Sequence, residues 1–199
     1  ITLSFTLISF IFGSVLSAQP QVFTNPDKIL HLAVEDSSAN FGAPVLGNAY
    51  MANSITACFI NNDAYEDLVV SAPAGKNLQG QIAGNVYVYF GSANGVSTTP
   101  SQVIYGLREL NNSDPFGGCL VGDFNHDNHQ DLVVGYQHYI TQGSVSKGYA
   151  VCFFGKNDGT GIDTTNKLII EAQGSSGNFA HSIAKGDLNN DEADDLLIS

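Results

Sequence analysis

The sequence predicts an all-β fold, a β-propeller assembled from repeated four-stranded blades, and three observations carry that prediction. The first is a short acidic loop that recurs. Asp123 to Asp131 reads DFNHDNHQD and runs into LVVG, and Asp187 to Asp195 reads DLNNDEADD and runs into LLIS. A third copy, FINNDAYED from Phe59 to Asp67 followed by LVVS, starts 64 residues before Asp123, just as Asp187 lies 64 residues after it. The second observation is an apolar marker at the same step, GNVYVYFG from Gly84 and GYAVCFFG from Gly148. The third is the lack of helical periodicity. About four β-type segments fall in each 64-residue unit, and a repeated four-stranded sheet is how a propeller buries its faces.

The segments follow in order. Strands are predicted near 54–58, 67–71, 84–90 and 102–105, then near 117–122, 131–136, 148–154 and 167–171. A third unit supplies one strand near 181–186 and the start of another at Asp195. Runs such as LVV after each acidic loop are apolar without alternation, the pattern of a strand buried on both faces. Residues 86–90, VYVYF, are β-branched and aromatic and suit a central strand. Tyr87, Tyr89 and Phe90 are read there as packing rather than as a ligand platform. Lys28 to Leu32, KILHL, resembles KLII at Lys167 to Ile170, so it reads as the closing strand of a unit. MANSI (Met51 to Ile55) aligns with FAHSI (Phe179 to Ile183), which implies an insertion of about ten residues before it. The repeats then occupy about 40–105, 115–171 and 178–199, some two and a half blades within 19–199.

Residues 1–18, ITLSFTLISFIFGSVLSA, carry no charge and end in small residues, as a secretory signal peptide does after its apolar region. The run is shorter than the roughly 20 apolar residues a membrane span needs. The basic n-region is absent, so this segment reads as truncated, and Ser199 falls inside a strand. The net charge of −12, with Lys and Arg totalling 7, argues against a nucleic-acid or anionic-membrane surface. Cys58, Cys119 and Cys152 form no CxxC pattern and read as small buried hydrophobes. Asn111-Asn112-Ser113 has the form of a glycosylation acceptor.

The loops carry the chemistry. Asp123, Asn125, Asp127 and Asp131 put side-chain oxygens at positions one, three, five and nine, and position seven, His129, has a backbone carbonyl to offer. Hard cations such as Ca²⁺ take six to eight oxygens, and alternate oxygens let a short loop wrap one ion. Asp and Asn favour turns in any case, but turn chemistry does not fix their offsets. A strand follows here, unlike an EF-hand, where a helix follows and the last ligand is a glutamate at position twelve. His126 and His129 flank a hard-oxygen loop and read as solvated histidines rather than transition-metal ligands.

Pro115 to Gly135 and Asn178 to Ser199 resemble the FG-GAP repeats of the integrin α-subunit β-propeller. Phe116-Gly117 matches the FG element and Ser71-Ala72-Pro73 the GAP element. The resemblance implies Ca²⁺ held by Asp123, Asn125, Asp127, the His129 carbonyl and Asp131, and by Asp187, Asn189, Asp191, the Ala193 carbonyl and Asp195. Asn61, Asp63, Tyr65 and Asp67 would form a weaker or empty site, because Phe59 stands where the first aspartate belongs. The family has Gly at position six of the loop, where this chain has Ala64, Asn128 and Glu192. Asn tolerates the left-handed conformation that Gly would supply; Ala and Glu do so poorly. Gly135-Tyr136-Gln137 replaces GAP in the second repeat.

No nucleophile elbow, phosphate-cradling glycine loop or HExxH is present, and the neighbouring Asp194 and Asp195 fit loop geometry better than a hydrolase pair. By resemblance the chain is expected to be an extracellular, calcium-stabilised binding module without catalytic residues. It would serve adhesion or recognition through a protein or glycan ligand on the propeller face. The alternative is an accessory propeller of a secreted enzyme resembling the phosphatidylinositol-glycan-specific phospholipase D.

Overall fold

The computed structural model describes residues 54–73, 75, 78, 83–96, 99–107, 116–140, 146–173 and 179–199. The signal peptide expected over 1–18, the strand expected at 28–32, the insertion before Met51 and the sequon at 111–113 lie outside these residues. Among the described residues there is no helix; every element is a strand.

The first sheet has the order β1-β2-β3-β4, with β1 Ile55–Cys58, β2 Asp67–Ala72, β3 Asn85–Tyr89 and β4 Gln102–Tyr105. The second repeats that order with β5 Phe116–Gly122, β6 Asp131–Ile140, β7 Ser146–Gly155 and β8 Ile162–Glu171. A third sheet holds β9 Ile183–Gly186 and β10 Asp195–Ile198. All pairings are antiparallel between sequence neighbours, as in Leu68↔Tyr89 and Leu132↔Phe153. Each is a meander, and two complete blades stand beside the start of another.

Both faces of the inner strands are covered, which is why their sequences are apolar without alternation. In β6 Leu132, Val134 and Tyr136 face one way and Val133 the other; in β7 Tyr149, Val151 and Phe153 oppose Ala150 and Cys152. The first set packs on Val69, Val86, Val88 and Ile104 from the neighbouring sheet, forming the core between the first two blades. Tyr136 and Tyr149 stack there, with centroids 4.7 Å apart and planes within 8°. Val133, Ala150 and Cys152 instead meet Ala180 and, around it, Phe179, Ile183, Leu196 and Ile198 of the third unit. Tyr87 and Tyr89 are buried on the outer face of the first blade. Phe90 turns to the opposite face, so the three aromatics pack on two sides of one sheet.

Polar contacts tie the blades as well. The Gln102 side chain donates to Ile162 O at 2.5 Å and accepts from Ile162 N–H at 3.0 Å. The Ser54 hydroxyl accepts the Cys119 N–H at 2.9 Å while Ser54 N–H donates to Ser71 Oγ. All three cysteines are free and buried. Burial pushes the thiols up, to about 12 for Cys58 and Cys152 and about 11 for Cys119.

Boundaries of three strands differ from expectation. β8 begins at Ile162 rather than near 167, and β6 and β7 run on to Ile140 and back to Ser146. Residues 162–166, IDTTN, are turn-like in composition. They extend the strand because β8 is the outer edge of its blade, mostly exposed, where polar residues cost little.

Candidate metal loops

The acidic loops join the first two strands of each sheet: 59–66 lies between β1 and β2, 123–130 between β5 and β6, and 187–194 between β9 and β10. Each folds because its short polar side chains satisfy its own backbone. In the second loop Asp123 Oδ1 and Asn125 Oδ1 both accept the Asp127 N–H at 3.1 Å, and Asp123 Oδ2 accepts the Asn128 N–H at 2.8 Å. Asn125 Nδ2 donates to Asp127 Oδ2 at 2.8 Å, and Asp127 Oδ1 accepts the His129 N–H at 2.8 Å. The third loop reproduces this bond for bond with Asp187, Asn189, Asp191, Glu192 and Ala193. These bonds lower the Asp191 pKa, the Ala193 amide first and Asn189 next. Positions one, three and five are thereby gathered onto the same few amides.

Position nine has a second role. Asp131 is fully buried, Oδ2 accepting the Phe124 N–H at 2.9 Å and Oδ1 the Gly155 N–H at 2.8 Å. Asp67 does the same with Ile60 and Asn61 on one oxygen and Gly91 on the other. Asp195 accepts from Leu188 at 2.8 Å. One carboxylate therefore ties the loop entrance to the end of the third strand. This accounts for the glycine closing each apolar marker. A Cβ on Gly155 would lie 2.8 Å from the His129 Cβ and 2.9 Å from Gln130 O, so only glycine lets the strand reach the carboxylate. Burial raises the Asp131 pKa; the two amides oppose that shift, and the charges of Asp127 and Asp123 add to it.

Backbone conformation separates the loops. Position six is left-handed at Asn128 (φ 65°) and Glu192 (φ 72°), while Ala64 is not left-handed. Position four is left-handed in all three, at Asn62, His126 and Asn190. In the first loop Phe59 is 46 % exposed and offers nothing to the amides of Asp63 and Ala64. Asn61 and Asp63 keep their own rungs, to Asp63 N–H and Tyr65 N–H, and the bond from Asn61 Nδ2 to Asp63 Oδ2 at 2.8 Å.

The side chains beside the ligand positions have partners of their own. His129 is partly exposed, and its Nδ1 lies 2.8 Å from Asn62 Nδ2 of the preceding blade's loop. Asp194 and Asp195 point apart, in keeping with loop geometry rather than a hydrolase pair. Asp195 turns into its own loop, whereas Asp194 Oδ2 accepts from Lys185 Nζ at 2.7 Å and from the Asp123 N–H at 3.0 Å.

The donor set consists of carboxylate, amide and carbonyl oxygens, which fits a hard divalent cation in kind. Among the described residues no three His, Cys, Asp or Glu side chains already converge on a common point. The carboxylates are engaged with backbone N–H groups, and each such oxygen keeps a further lone pair. Also among the described residues, no helix is long and apolar enough to cross a membrane.

Comparison with known proteins agrees with this architecture. The FG-GAP repeat model matches residues 53–89. Human phosphatidylinositol-glycan-specific phospholipase D is 30% identical over 154 residues, 73% of this chain and 18% of that protein. Human integrin alpha-6 is 37% identical over 78 residues, 38% of this chain and 6% of its own length. Mouse integrin alpha-3 is 34% identical over 91 residues, covering 44% and 8%. The chain thus spans less than a fifth of the length of these relatives.

Proposed function

We propose that this chain, which belongs to the FG-GAP repeat family of integrin α-type β-propellers, is an extracellular binding module whose blades are pinned by Ca²⁺. The observation that carries the reading is the matched pair of loops at 123–131 and 187–195. Each gathers oxygens from positions one, three and five onto one turn, beside a position-nine carboxylate. Asp123, Asn125, Asp127, the His129 carbonyl and Asp131 would hold one ion. Asp187, Asn189, Asp191, the Ala193 carbonyl and Asp195 would hold the other. Asn61, Asp63, the Tyr65 carbonyl and Asp67 would hold a third weakly, for want of an oxygen at Phe59.

The ion's contribution is structural. It neutralises crowded carboxylates and binds only the folded loop, which stabilises by about 2.7 kcal/mol at a hundred times its dissociation constant. Residues 1–18 act as the signal peptide and 19–199 as propeller, whose loops present a protein or glycan ligand with a shaped face. Thermal unfolding in Ca²⁺ against EGTA tests this: a rise of roughly 5–11 °C per filled site is expected. An unchanged midpoint contradicts it.

A second reading has its own support in the phospholipase match, the widest of those described above. The chain would then be the accessory propeller of a secreted hydrolase. Release of glycan-anchored protein from vesicles by the intact protein would favour it; inactivity together with capture by an immobilised extracellular ligand would favour the binding module.

A further inference from the structure

The third loop grips the second from outside. Asp194 N–H donates to Asp123 O at 2.9 Å, and the Asp123 N–H donates back to Asp194 Oδ2 at 3.0 Å. Both backbone groups of the residue at position one are thus held by one residue of the next blade. Lys185 on β9 donates to the same carboxylate oxygen at 2.7 Å and fixes its direction. Gly122, just before Asp123, makes room for it: a Cβ there would lie 2.6 Å from Asp194 Oδ2. Between the first and second blades the corresponding positions are Cys58 and Gln130, a residue with a side chain facing a residue without charge. There the loops meet through Asn62 and His129 instead. The small residue and the acid occur together where the grip forms.

We propose that Asp194 is a positioning residue for the ion loop of the preceding blade. It fixes the backbone from which Asp123 extends both its oxygens, so the order of the 187–195 loop is felt at 123–131. Filling one loop then favours filling the next. The inference rests on the calcium reading of these loops and adds a coupling between them, equal in both directions by linkage.

The test is a Ca²⁺ titration of the full chain followed by NMR at single amides. Asp127 and Asn128 report the second loop, and Asp191 and Glu192 the third. Asp194→Ala should weaken the midpoint read at Asp127 and Asn128 about tenfold, the low end for losing a charge-assisted hydrogen bond. Gly122→Ala, which retains Asp194 but pushes its carboxylate aside, should act in the same direction. Asp194→Asn keeps an oxygen for the Asp123 N–H and should stay within about threefold of the parent. A merely structural role would not produce this rescue by the isosteric amide. Midpoints within twofold of the parent for both Asp194→Ala and Gly122→Ala overturn the proposal while leaving calcium binding intact. Amides of the parent that do not respond to Ca²⁺ overturn the calcium reading and this inference with it.

Discussion

Replacing Asp131 by alanine should destabilise the protein even without any metal. The carboxylate is fully buried and accepts two backbone N–H groups, from Phe124 at 2.9 Å and from Gly155 at 2.8 Å. Alanine leaves both donors without a partner. An orphaned buried donor costs about 1–3 kcal/mol, and relief of the buried charge offsets part of that sum. A net loss of about 3 kcal/mol follows, or roughly 6–12 °C in the unfolding midpoint for a chain of this size. The assay is thermal and denaturant unfolding in EGTA, with Asp127→Ala alongside. Asp127 sits on the partly exposed side of the loop and is expected to cost about 1 kcal/mol or less under these conditions. If Asp131→Ala in EGTA shifts the midpoint no more than Asp127→Ala, the two-oxygen tie between loop and third strand is not what holds the blade.

Other outcomes follow from the same geometry. Glu192→Gly removes a side chain from a left-handed residue at φ 72°; it should stabilise by about 1 kcal/mol in EGTA, and Glu192→Ala should not, as paired melts would reveal. Phe59→Asp restores an acceptor at position one of the first loop at small packing cost, Phe59 being 46 % exposed. Calorimetry should then show the third, weakly held Ca²⁺ binding more tightly than in the parent. The buried cysteines should resist iodoacetamide at pH 8.5 in the native state, and mass spectrometry should find all three labelled in denaturant. Their thiols ionise at about 11–12 when folded against an ordinary 9.0. The associated stability is therefore complete below pH 9 and is lost as pH rises toward 12. Denaturant midpoints at pH 8 and pH 10.5 should fall in that order.

The strand plan was legible because the inner strands of the two complete blades are covered on both faces, so LVV after the first and second acidic loops is unbroken by polar residues. The 64-residue step made a single ambiguous run into three matching ones. The edge of the second blade was not legible, since IDTTN at 162–166 has the composition of a turn and lies exposed. Counting loop oxygens located Asp131 but could not give its direction into the blade, where it meets Gly155; the terminal glycine of each apolar marker was the available signal. The left-handed position four has a weak signal in the sequence, asparagine in two loops out of three, at Asn62 and Asn190. Contacts between blades, Asp194 on Asp123 and Asn62 on His129, join residues 71 and 67 positions apart, which no local pattern encodes.

The account rests on the loops at 123–131 and 187–195 being ion sites, and calorimetric Ca²⁺ titration of the protein beside an Asp127→Ala, Asp191→Ala double variant tests that most directly. Binding with a dissociation constant in the micromolar-to-millimolar range, absent from the double variant, is the predicted result. Absence of heat in the parent, or equal binding by the double variant, would contradict it and leave the aspartates as turn residues that order the loop through its own amides.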